Sequence, residues 1–492
     1  MERMFRGIIS VSDRDSVLTF LRKAKTELNR AKIAMISLKT KSRGLEEAIG
    51  RYEALLAPIH KLPPETLANV LAMVSEEGNT LGPESMPPAM IISHVCGRWR
   101  DVALSTPKIW SSIMIDFSQQ QAVERSVDLA YLAQMFTNRS KPALLDLKLD
   151  IMVDERADVD IAPALSILTS QSARWGSLNL TCYPWVLDCT YLGLVKGRLP
   201  ELRHLGLPSS ESGYVIDGDE VVETHLFDDC PNLESLSLSS TGPVALSRVQ
   251  FPWKQIRYMK LDDYYARLAC SLISRCPNLH SLRCSLAIGG DSIPANEIEP
   301  IISSLKHLSI SAYEPRRLSD ILQRLTLPSL SFLDIIGRPV SETWDLQRIK
   351  DFLSRSSTAN SLRYLRLEHP PMSDRELVSL LRMMPKLEHL CINERAESHR
   401  WPDGLITDTF LNQFNIISPI FLPRLSQIEL TVNKTVPQGA LLQMLVSRTQ
   451  MDNTAQLRSV SIVIRKEISA KLRSSLEAIH DVGVCISVKV IT

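Results

Sequence analysis

A short leucine-rich phrase recurs along most of this 492-residue chain and constrains its fold more than any other feature. The phrase is leucine, two residues, leucine, one residue, leucine, and other apolar residues replace some of the leucines. Twelve copies share this spacing, with first positions at Leu144, Trp175, Leu202, Leu233, Ile256, Leu279, Leu305, Leu330, Leu362, Leu387, Leu425 and Leu457. Successive first positions lie 23 to 38 residues apart. A period of roughly 20 to 50 residues predicts a stack of similar units that bury their apolar faces against one another.

Each copy is predicted to contain a β-strand, a loop and a helix. Seven copies carry a proline two residues before the first position, namely Pro142, Pro200, Pro231, Pro277, Pro328, Pro385 and Pro423. Proline ends a helix but is tolerated at the start of a strand, so it marks the return from helix to strand. Because side chains alternate along a strand, the second and third apolar positions should face the core and their neighbours should face outward.

The outward positions of successive strands should line up in columns. The column before the second apolar position carries the aromatic and imidazole residues His204, Tyr258, His307, Phe332, Tyr364 and His389. The next column carries Lys260, Arg283, Arg366 and Glu429. Aromatic and arginine side chains anchor protein interfaces, so the six residues of the first column and Arg366 form a candidate substrate-binding surface. The alternative is that each ring only pairs with its cross-strand neighbours.

Residues 59–113 predict a small helical module. After Leu62, the start Pro63-Pro64-Glu65 suits the first turn of a helix, and Leu67, Val70, Leu71 and Val74 then follow at helical spacing. A second helix is expected from Pro87-Pro88, with its apolar residues at Ile91, Ile92, Val95, Trp99, Val102 and Ala103, until Pro107 ends it. So short a segment buries little apolar surface, which suggests that a partner covers part of it.

The phrases LPPE from Leu62, VCGRWRDVA from Val95 and TPKIW from Thr106 resemble the F-box-like proteins common in mushroom-forming fungi. The loop between the helices is longer than usual, and Gly97 falls inside the second helix. The resemblance implies that the module docks on the Skp adaptor of a cullin-based ubiquitin ligase. It assigns adaptor contact to Leu62, Pro63, Leu67, Leu71, Val95, Trp99 and Trp110. The alternative for Trp99 and Trp110 is that they fill the core of the module.

Residues 1–58 predict one long helix. Leu21, Leu28, Met35, Ser42, Ile49 and Leu56 occupy one heptad position, and Ala24, Ala31, Leu38, Leu45 and Tyr52 occupy the other. This seam favours a coiled coil that could form a homodimer, and the alternative is a helix folded back on the F-box. The segment is locally basic, but its charges are interspersed and no aromatic residues alternate with them, so nucleic acid is not an expected partner.

Composition favours an intracellular binding protein. The net charge is +1, and no run of about 18 apolar residues predicts a membrane span. The nine cysteines are odd in number and form no C-x-x-C pair, which argues against a disulfide framework and a zinc site. Phosphate-loop, dinucleotide, zinc-protease and nucleophile-elbow motifs are missing, so neither a cofactor nor a catalytic metal is expected. The expected location is the cytoplasm, the nucleus or both.

Together these features predict an α/β chain with a coiled-coil helix at 1–58, a three-helix-type F-box at 59–113 and an irregular leucine-rich-repeat solenoid, a horseshoe, at 114–492. The resemblance implies the substrate receptor of an SCF-type cullin-RING ubiquitin ligase. Such a subunit is not an enzyme. It would bind a Skp adaptor, a cullin through that adaptor, and an unidentified protein destined for ubiquitin-dependent degradation. One alternative is an interaction scaffold that acts without a cullin. Another is a hydrolase or transferase, which would need a cluster of titratable groups.

Overall fold

The fold is mixed α/β, with a long N-terminal helix and a large parallel sheet. The computed structural model describes residues 10–82, 86–117, 126–152, 161–182, 184–187, 190–207, 225–239, 250–288, 300–337, 343–394, 404–415, 420–432, 437–450, 457–464 and 485–490. The chain divides into two compact units, Met1–Met73 and Val74–Thr492. The predicted F-box segment 59–113 therefore lies across the division.

The first unit contains the predicted long helix. Helix α1 spans Val11–Leu56, 46 residues, and begins after Ser10, whose hydroxyl accepts a hydrogen bond from the Asp13 backbone N–H. Its large apolar side chains are exposed, from 42% for Leu18 to 82% for Leu56. A 3-10 turn at Pro58–Lys61 leads into α2, Pro64–Val74. The predicted helix is confirmed, whereas its pairing as a coiled coil stays a prediction.

The single second helix predicted for the F-box segment is wrong. The structure has α3 at Pro88–Val95 and α4 at Gly97–Ser105. Cys96 separates them because its backbone is extended, with φ −160° and ψ 171°. Gly97 is therefore the first residue of α4 rather than an interior glycine. The Arg100 guanidinium donates from Nε to the Ser93 carbonyl at 3.0 Å and ties the two helices together.

The polar stretch between α2 and α3 contributes a strand that the sequence did not predict. Strand β1, Asn79–Leu81, pairs in parallel with β2, Ser112–Asp116. Asn79 is fully buried, and its Nδ2 donates to the carbonyls of Ile109 and Ser112 at 3.0 Å each. Its Oδ1 accepts from the Ala89 N–H at 2.9 Å. One buried amide therefore joins the strand to the segments on both sides of it.

All other strands but two continue the same parallel sheet. Their bounds are β3 Leu145–Ile151, β4 Trp175–Cys182, β5 His204–Leu207, β6 Ser235–Ser239, β7 Tyr258–Tyr264, β8 Ser281–Leu286, β10 His307–Ala312, β12 Phe332–Gly337, β13 Tyr364–Glu368, β14 His389–Asn393, β15 Gln427–Val432, β16 Ser459–Ile464 and β17 Cys485–Val490. Strands β9, Ile301–Ile302, and β11, Leu325–Thr326, form a separate pair. The fifteen strands of the main sheet follow one another in chain order. Each of the twelve predicted copies supplies one of them.

The apolar positions of the phrase form the core of the sheet. The second and third positions of all twelve copies are at most 4% exposed. The first copy needs a correction, because Leu144 is 41% exposed and Leu145 is 1% exposed. Leu145 pairs with Trp175, and a register shift follows between Leu145 and Asp146. The extra residue is Gly176 on β4, so β3 reaches the position that pairs with Trp175 one residue later, at Leu145.

Helices or short turns follow most strands. The helices are α5 Ser126–Arg139, α6 Ala162–Thr169, α7 Pro184–Leu187, α8 Thr190–Gly193, α9 Ala266–Arg275, α10 Pro315–Leu322, α11 Leu346–Arg355, α12 Thr358–Ser361, α13 Asp374–Leu381, α14 Asp408–Asn412 and α15 Gln438–Gln450. The 3-10 turns of the second unit are Pro107–Trp110, Ser172–Arg174, Trp253–Gln255 and Gln413–Asn415. Helix α13 begins with a capping box between Ser373 and Glu376, which satisfies two backbone N–H groups. Within the described residues, no helix is long and apolar enough to cross a membrane.

Candidate functional site

Four of the predicted outward residues form a continuous row across β10, β12, β13 and β14. The strand register pairs His307 with Phe332, Phe332 with Tyr364, and Tyr364 with His389. The corresponding ring centroids lie 5.4, 4.1 and 4.5 Å apart. We call these four residues the aromatic row. The predicted column is therefore a packed cluster in this part of the sheet.

The orientation of the rings decides what the aromatic row can offer. His307, Phe332 and Tyr364 are stacked with interplanar angles of 10° and 8°, and His389 meets Tyr364 edge to face at 69°. Much of the ring-face area is used within the row, which leaves edges, imidazole nitrogens and the Tyr364 hydroxyl for a ligand. Ring faces attract cations and ring edges do not. The row is thus a rigid support, and selection by charge has to come from its neighbours.

His204 and Tyr258 lie in the same column but outside the row. Both are exposed, Tyr258 to 49%. The register places Ser235 between them and Ser281 between Tyr258 and His307. Serine is too short to bridge aromatic rings across two strands. These two residues therefore stand singly on the sheet.

The neighbouring column places charges beside the aromatic row. Asp334 is 6% exposed and accepts a hydrogen bond from the Ser309 hydroxyl at 2.9 Å. Arg366 donates to Glu368 Oε2 at 2.7 Å, and its Nε lies 4.0 Å from Asp334 Oδ1. Asp334 Oδ1 and Arg366 Nε are both buried without a hydrogen-bond partner. The sequence analysis included Arg366 but missed Asp334 and Glu368, although the same alternation rule identifies both as outward residues.

Burial and charge shift the pKa values in this cluster. Burial raises the pKa of Asp334, against the lowering effects of the Ser309 hydrogen bond and of Arg366. Burial lowers the pKa of Arg366, but Glu368 and Asp334 outweigh it, so the pKa is raised. Burial and nearby Glu429 raise the pKa of the Cys391 thiol to about 12. The cysteine is therefore a protonated thiol at neutral pH.

Glu429 adds a third carboxylate at the far end of the row. Its Oε1 lies 3.1 Å from His389 Nε2. Asp334, Glu368 and Glu429 thus stand against one guanidinium inside the cluster, that of Arg366, and Arg283 is two strands from Asp334. Around Arg366 the carboxylates therefore outnumber the guanidinium groups.

The predicted adaptor residues of the first unit differ in exposure. Leu62 is half-buried and Pro63 is exposed, whereas Leu67 and Leu71 are at most 1% exposed. The predicted single apolar face of α2 is therefore split. Val70 and Met73 are 41% and 65% exposed. The buried pair holds the helix in place, and the exposed apolar residues lie elsewhere on it.

In the second unit, α3 also presents apolar side chains. Ile91 and Val95, one helical turn apart, are 52% and 55% exposed. Trp99 on α4 is half-buried, and Leu104 is 45% exposed. Val95 and Trp99 are thus at least partly accessible to a partner.

The prediction that Trp110 contacts the adaptor is wrong. Its side chain is fully buried, packs on Phe136 at 5.1 Å between ring centroids and lies under the Arg139 guanidinium at 4.5 Å. A partner cannot reach this ring in the folded chain. Trp110 is therefore a core residue, and this core extends beyond the 59–113 module, since Phe136 and Arg139 belong to α5.

Trp110 also has an equivalent in the first apolar position of a predicted copy. Its Nε1 donates to the Ala103 carbonyl at 2.7 Å, and Trp175 Nε1 donates to the Leu168 carbonyl at 3.1 Å, in both cases seven residues back. Ile113 and Ile115 follow Trp110 at the spacing of the leucine phrase and are buried in β2. Trp110 therefore begins a thirteenth copy that the sequence analysis overlooked.

Comparison with models of known protein families gave no match to this chain, and a search of curated proteins found no relative.

Proposed function

We propose that this chain is the substrate-receptor subunit of an SCF-type cullin-RING ubiquitin ligase. The observation that supports it most is uncovered apolar surface within the segment that resembles an F-box. Val70 and Met73 on α2, and Ile91 and Val95 on α3, expose 41% to 65% of their surface. On each of these two helices, exposed apolar side chains at helical spacing mark an interaction surface. Leu62, Pro63 and Trp99 complete the proposed adaptor contacts, and Trp110 is omitted because it is buried.

The large parallel sheet supports the second part of the proposal, an irregular leucine-rich-repeat solenoid that holds the target. Its strands follow chain order, and the apolar positions of each copy pack against those of the next. A solenoid of this type offers one long face of aligned strand positions. The target-binding residues are then the aromatic row with Arg366, while His204 and Tyr258 extend the contact at one side.

The charge around the aromatic row favours a target segment with basic side chains. Glu368 and Glu429 can accept hydrogen bonds from lysine or arginine, and such charge-assisted bonds are among the stronger polar contacts. The stacked rings add rigid apolar area at little entropic cost. A segment that combines a basic and an apolar side chain fits both features.

The proposed mechanism is tethering without chemistry by this chain. The adaptor end recruits the cullin and the ubiquitin-conjugating machinery, and the sheet holds the target. A lysine of the target is then present at a high effective concentration near the activated ubiquitin.

The exposed apolar side chains of α1 support a homodimer through a parallel or antiparallel coiled coil. We expect light scattering to give a dimer for the intact chain and a monomer for the seam variant Leu28→Glu, Leu38→Glu. The matched variant Ile33→Glu, Leu55→Glu changes exposed residues outside the seam and should remain dimeric. Equal molar masses for the three proteins would contradict dimerisation through this seam.

Adaptor binding tests the receptor function directly. Purified Skp adaptor should bind the intact chain, and Val95→Asp should weaken binding at least about ten-fold because it places a charge in an apolar interface. Val446→Asp is the matched control, since Val446 is a similarly exposed valine on α15. Circular dichroism establishes that all three chains are folded. No adaptor binding by the folded intact chain would contradict the proposal.

A scaffold that acts without a cullin is the second candidate, and the exposed seam of α1 favours it because dimerisation alone can assemble partners. Recovery of cullin together with the adaptor separates the two. Adaptor without cullin would favour the scaffold.

A further inference from the structure

A cavity of about 850 Å³ opens on the second unit next to the starts of β7 and β8. These two strands come before the four strands of the aromatic row in the sheet. Its walls are the 3-10 turn Trp253–Gln255, the loop between α9 and β8, and residues that precede β7 and β8. The volume lies within the usual range for small-molecule sites, roughly 300 to 1,000 Å³.

Side-chain hydrogen bonds fix the loops that form the cavity. The sequence Cys-Pro-Asn-Leu occurs at 230–233 and again at 276–279. Asn278 donates from Nδ2 to the Lys254 carbonyl at 2.7 Å, and Asn232 donates in the same way to the Pro200 carbonyl, also at 2.7 Å. In both cases the carbonyl belongs to the copy that precedes the asparagine. Gln255 donates to the Cys230 carbonyl at 2.5 Å. Each asparagine thus holds its loop to the preceding loop by a hydrogen bond, and the cavity lies between two loops joined in this way.

Four basic side chains line this cavity, and we call it the basic cavity. Arg257 and His280 occupy equivalent positions just before their strands, and the His280 N–H donates to the Arg257 carbonyl at 2.8 Å. Lys254 belongs to the 3-10 turn, and Arg275 is the last residue of α9. The guanidinium of Arg275 lies 5.6 Å from the centroid of the Trp253 ring, which orients it. Basic side chains from four separate segments therefore line the same cavity.

No carboxylate offsets these cations within the cavity. The described lining residues include neither aspartate nor glutamate. Across the described part of the chain, Lys254, Arg257 and Arg275 take part in no ion pair. This contrasts with Arg363, which pairs with Glu388 at the corresponding edge of β13. Unpaired like charges at one site repel each other, so an anion that neutralises them is stabilising.

We propose that the basic cavity binds an anion that carries phosphate. Three full charges match a phosphate-bearing group of charge two or more, and the two guanidinium groups can bind phosphate oxygens in a bidentate manner. The half-buried Trp253 side chain, which lines the cavity, supplies apolar contact for the rest of the ligand. Either a free phosphate compound or a phosphorylated side chain of a protein offers this chemistry. The site is separate from the aromatic row and does not depend on the ligase function.

Calorimetry with the full-length chain tests the proposal, with tripolyphosphate as the first probe. Binding should weaken as salt is added, because exposed charges are screened. The variant Arg257→Gln, Arg275→Gln should bind at least about ten-fold more weakly, since it loses two charge-assisted contacts. The matched control Arg424→Gln, Arg458→Gln removes two exposed arginines from later copies and should bind within about two-fold of the intact chain.

A second arm distinguishes the sources of phosphate. A phosphoserine peptide and its serine counterpart are titrated into the same proteins. Binding of the phosphopeptide alone, with the same dependence on Arg257 and Arg275, assigns the cavity to a phosphorylated protein. Binding of tripolyphosphate alone assigns it to a free phosphate compound.

Two outcomes overturn the proposal. One is no binding of either probe by the folded intact chain. The other is binding that the Arg257→Gln, Arg275→Gln variant retains in full. If that variant does not fold by circular dichroism, Lys254→Gln replaces it, because Lys254 is exposed and its side chain forms no described bond. Adaptor binding, measured on the same samples, is expected to be unchanged.

Discussion

The aromatic row and the basic cavity lie on one sheet but are built from different parts of the repeated unit. The row consists of strand residues, and part of the charge beside it is paired, as in the 2.7 Å bond between Arg366 and Glu368. The cavity consists of residues that precede the strands, and its cations Lys254 and Arg257 have no ion-pair partner among the described residues. The charged side chains beside the row therefore pair with one another in part, whereas these two cations of the cavity do not.

This difference follows from how the backbone places the two sets. Parallel pairing holds equivalent strand positions close together, so outward side chains on adjacent strands contact each other whether or not a ligand is present. The charged residues of the cavity, Lys254, Arg257 and Arg275, are instead exposed to solvent. The aromatic row should therefore contribute to stability as well as to target binding, whereas the basic cavity should contribute to ligand binding alone.

Removing the central ring of the row gives the largest expected effect. Phe332→Ala deletes a ring that stacks on His307 and on Tyr364, and we expect a loss of about 2 kcal/mol in the free energy of unfolding. Arg257→Ala in the cavity should change it by no more than about 0.5 kcal/mol. Urea denaturation of the two variants measures the difference. Equal losses in the free energy of unfolding would contradict the expectation that the row contributes more to stability than the cavity does.

Exchanging the probes should show that the two surfaces select opposite charges. A labelled glycine-serine peptide with two arginines should bind the aromatic row, and Glu368→Gln with Glu429→Gln should weaken it about ten-fold. The same variant should bind tripolyphosphate as the intact chain does. Fluorescence polarisation measures the peptide, and a peptide with two glutamates is the control. Tighter binding of the glutamate peptide would contradict an acidic row.

The sequence predicted most strands because each one has its own local signal. Buried leucines at fixed spacing identify a strand in any copy, and the twelve predicted copies are strands in the expected order. Strand β2 was overlooked because its phrase begins with Trp110, which the F-box resemblance had already assigned. Strand β1 has three residues and is held by Asn79, whose partners are 10 to 33 residues away. A periodic pattern of apolar residues does not predict hydrogen bonds between residues so far apart in the chain.

The candidate site was predictable only as a column of residues. Alternation placed Phe332 and Tyr364 on the outward face, but ring tilt depends on packing between chain segments about 30 residues apart. The basic cavity had a weaker signal still. Arg257 and His280 share a position in the repeat, whereas Lys254 and Arg275 reach the cavity from a turn and a helix end. Their convergence needs the three-dimensional positions of the loops.

Asp334 should make the stability of the aromatic row depend on pH. Burial raises its pKa in the folded chain above the ordinary value, so the folded state binds the proton more tightly than the unfolded state. The resulting stabilisation is fully present below the ordinary aspartate pKa and is lost as the pH rises through the raised value. Asp334→Asn should therefore lose stability relative to the intact chain in acid and recover that loss toward neutrality. Urea denaturation across this acid range measures the trend, and an opposite slope would show that Arg366 and Ser309 outweigh burial.

Tyr364→Phe should have the smallest effect and defines what the row contributes besides its rings. The substitution keeps the 4.1 Å stack on Phe332 and removes only the hydroxyl. Stability should change by no more than about 0.5 kcal/mol, since no hydrogen bond joins that oxygen to another described residue. Binding of the arginine peptide should fall by about two-fold if the hydroxyl touches the ligand and should not change if charge alone selects it. Arg283→Gln is the matched control, because it removes a charge near Asp334 and should strengthen peptide binding slightly. A large loss of stability in Tyr364→Phe would mean that the hydroxyl, rather than the stacked ring, holds the row together.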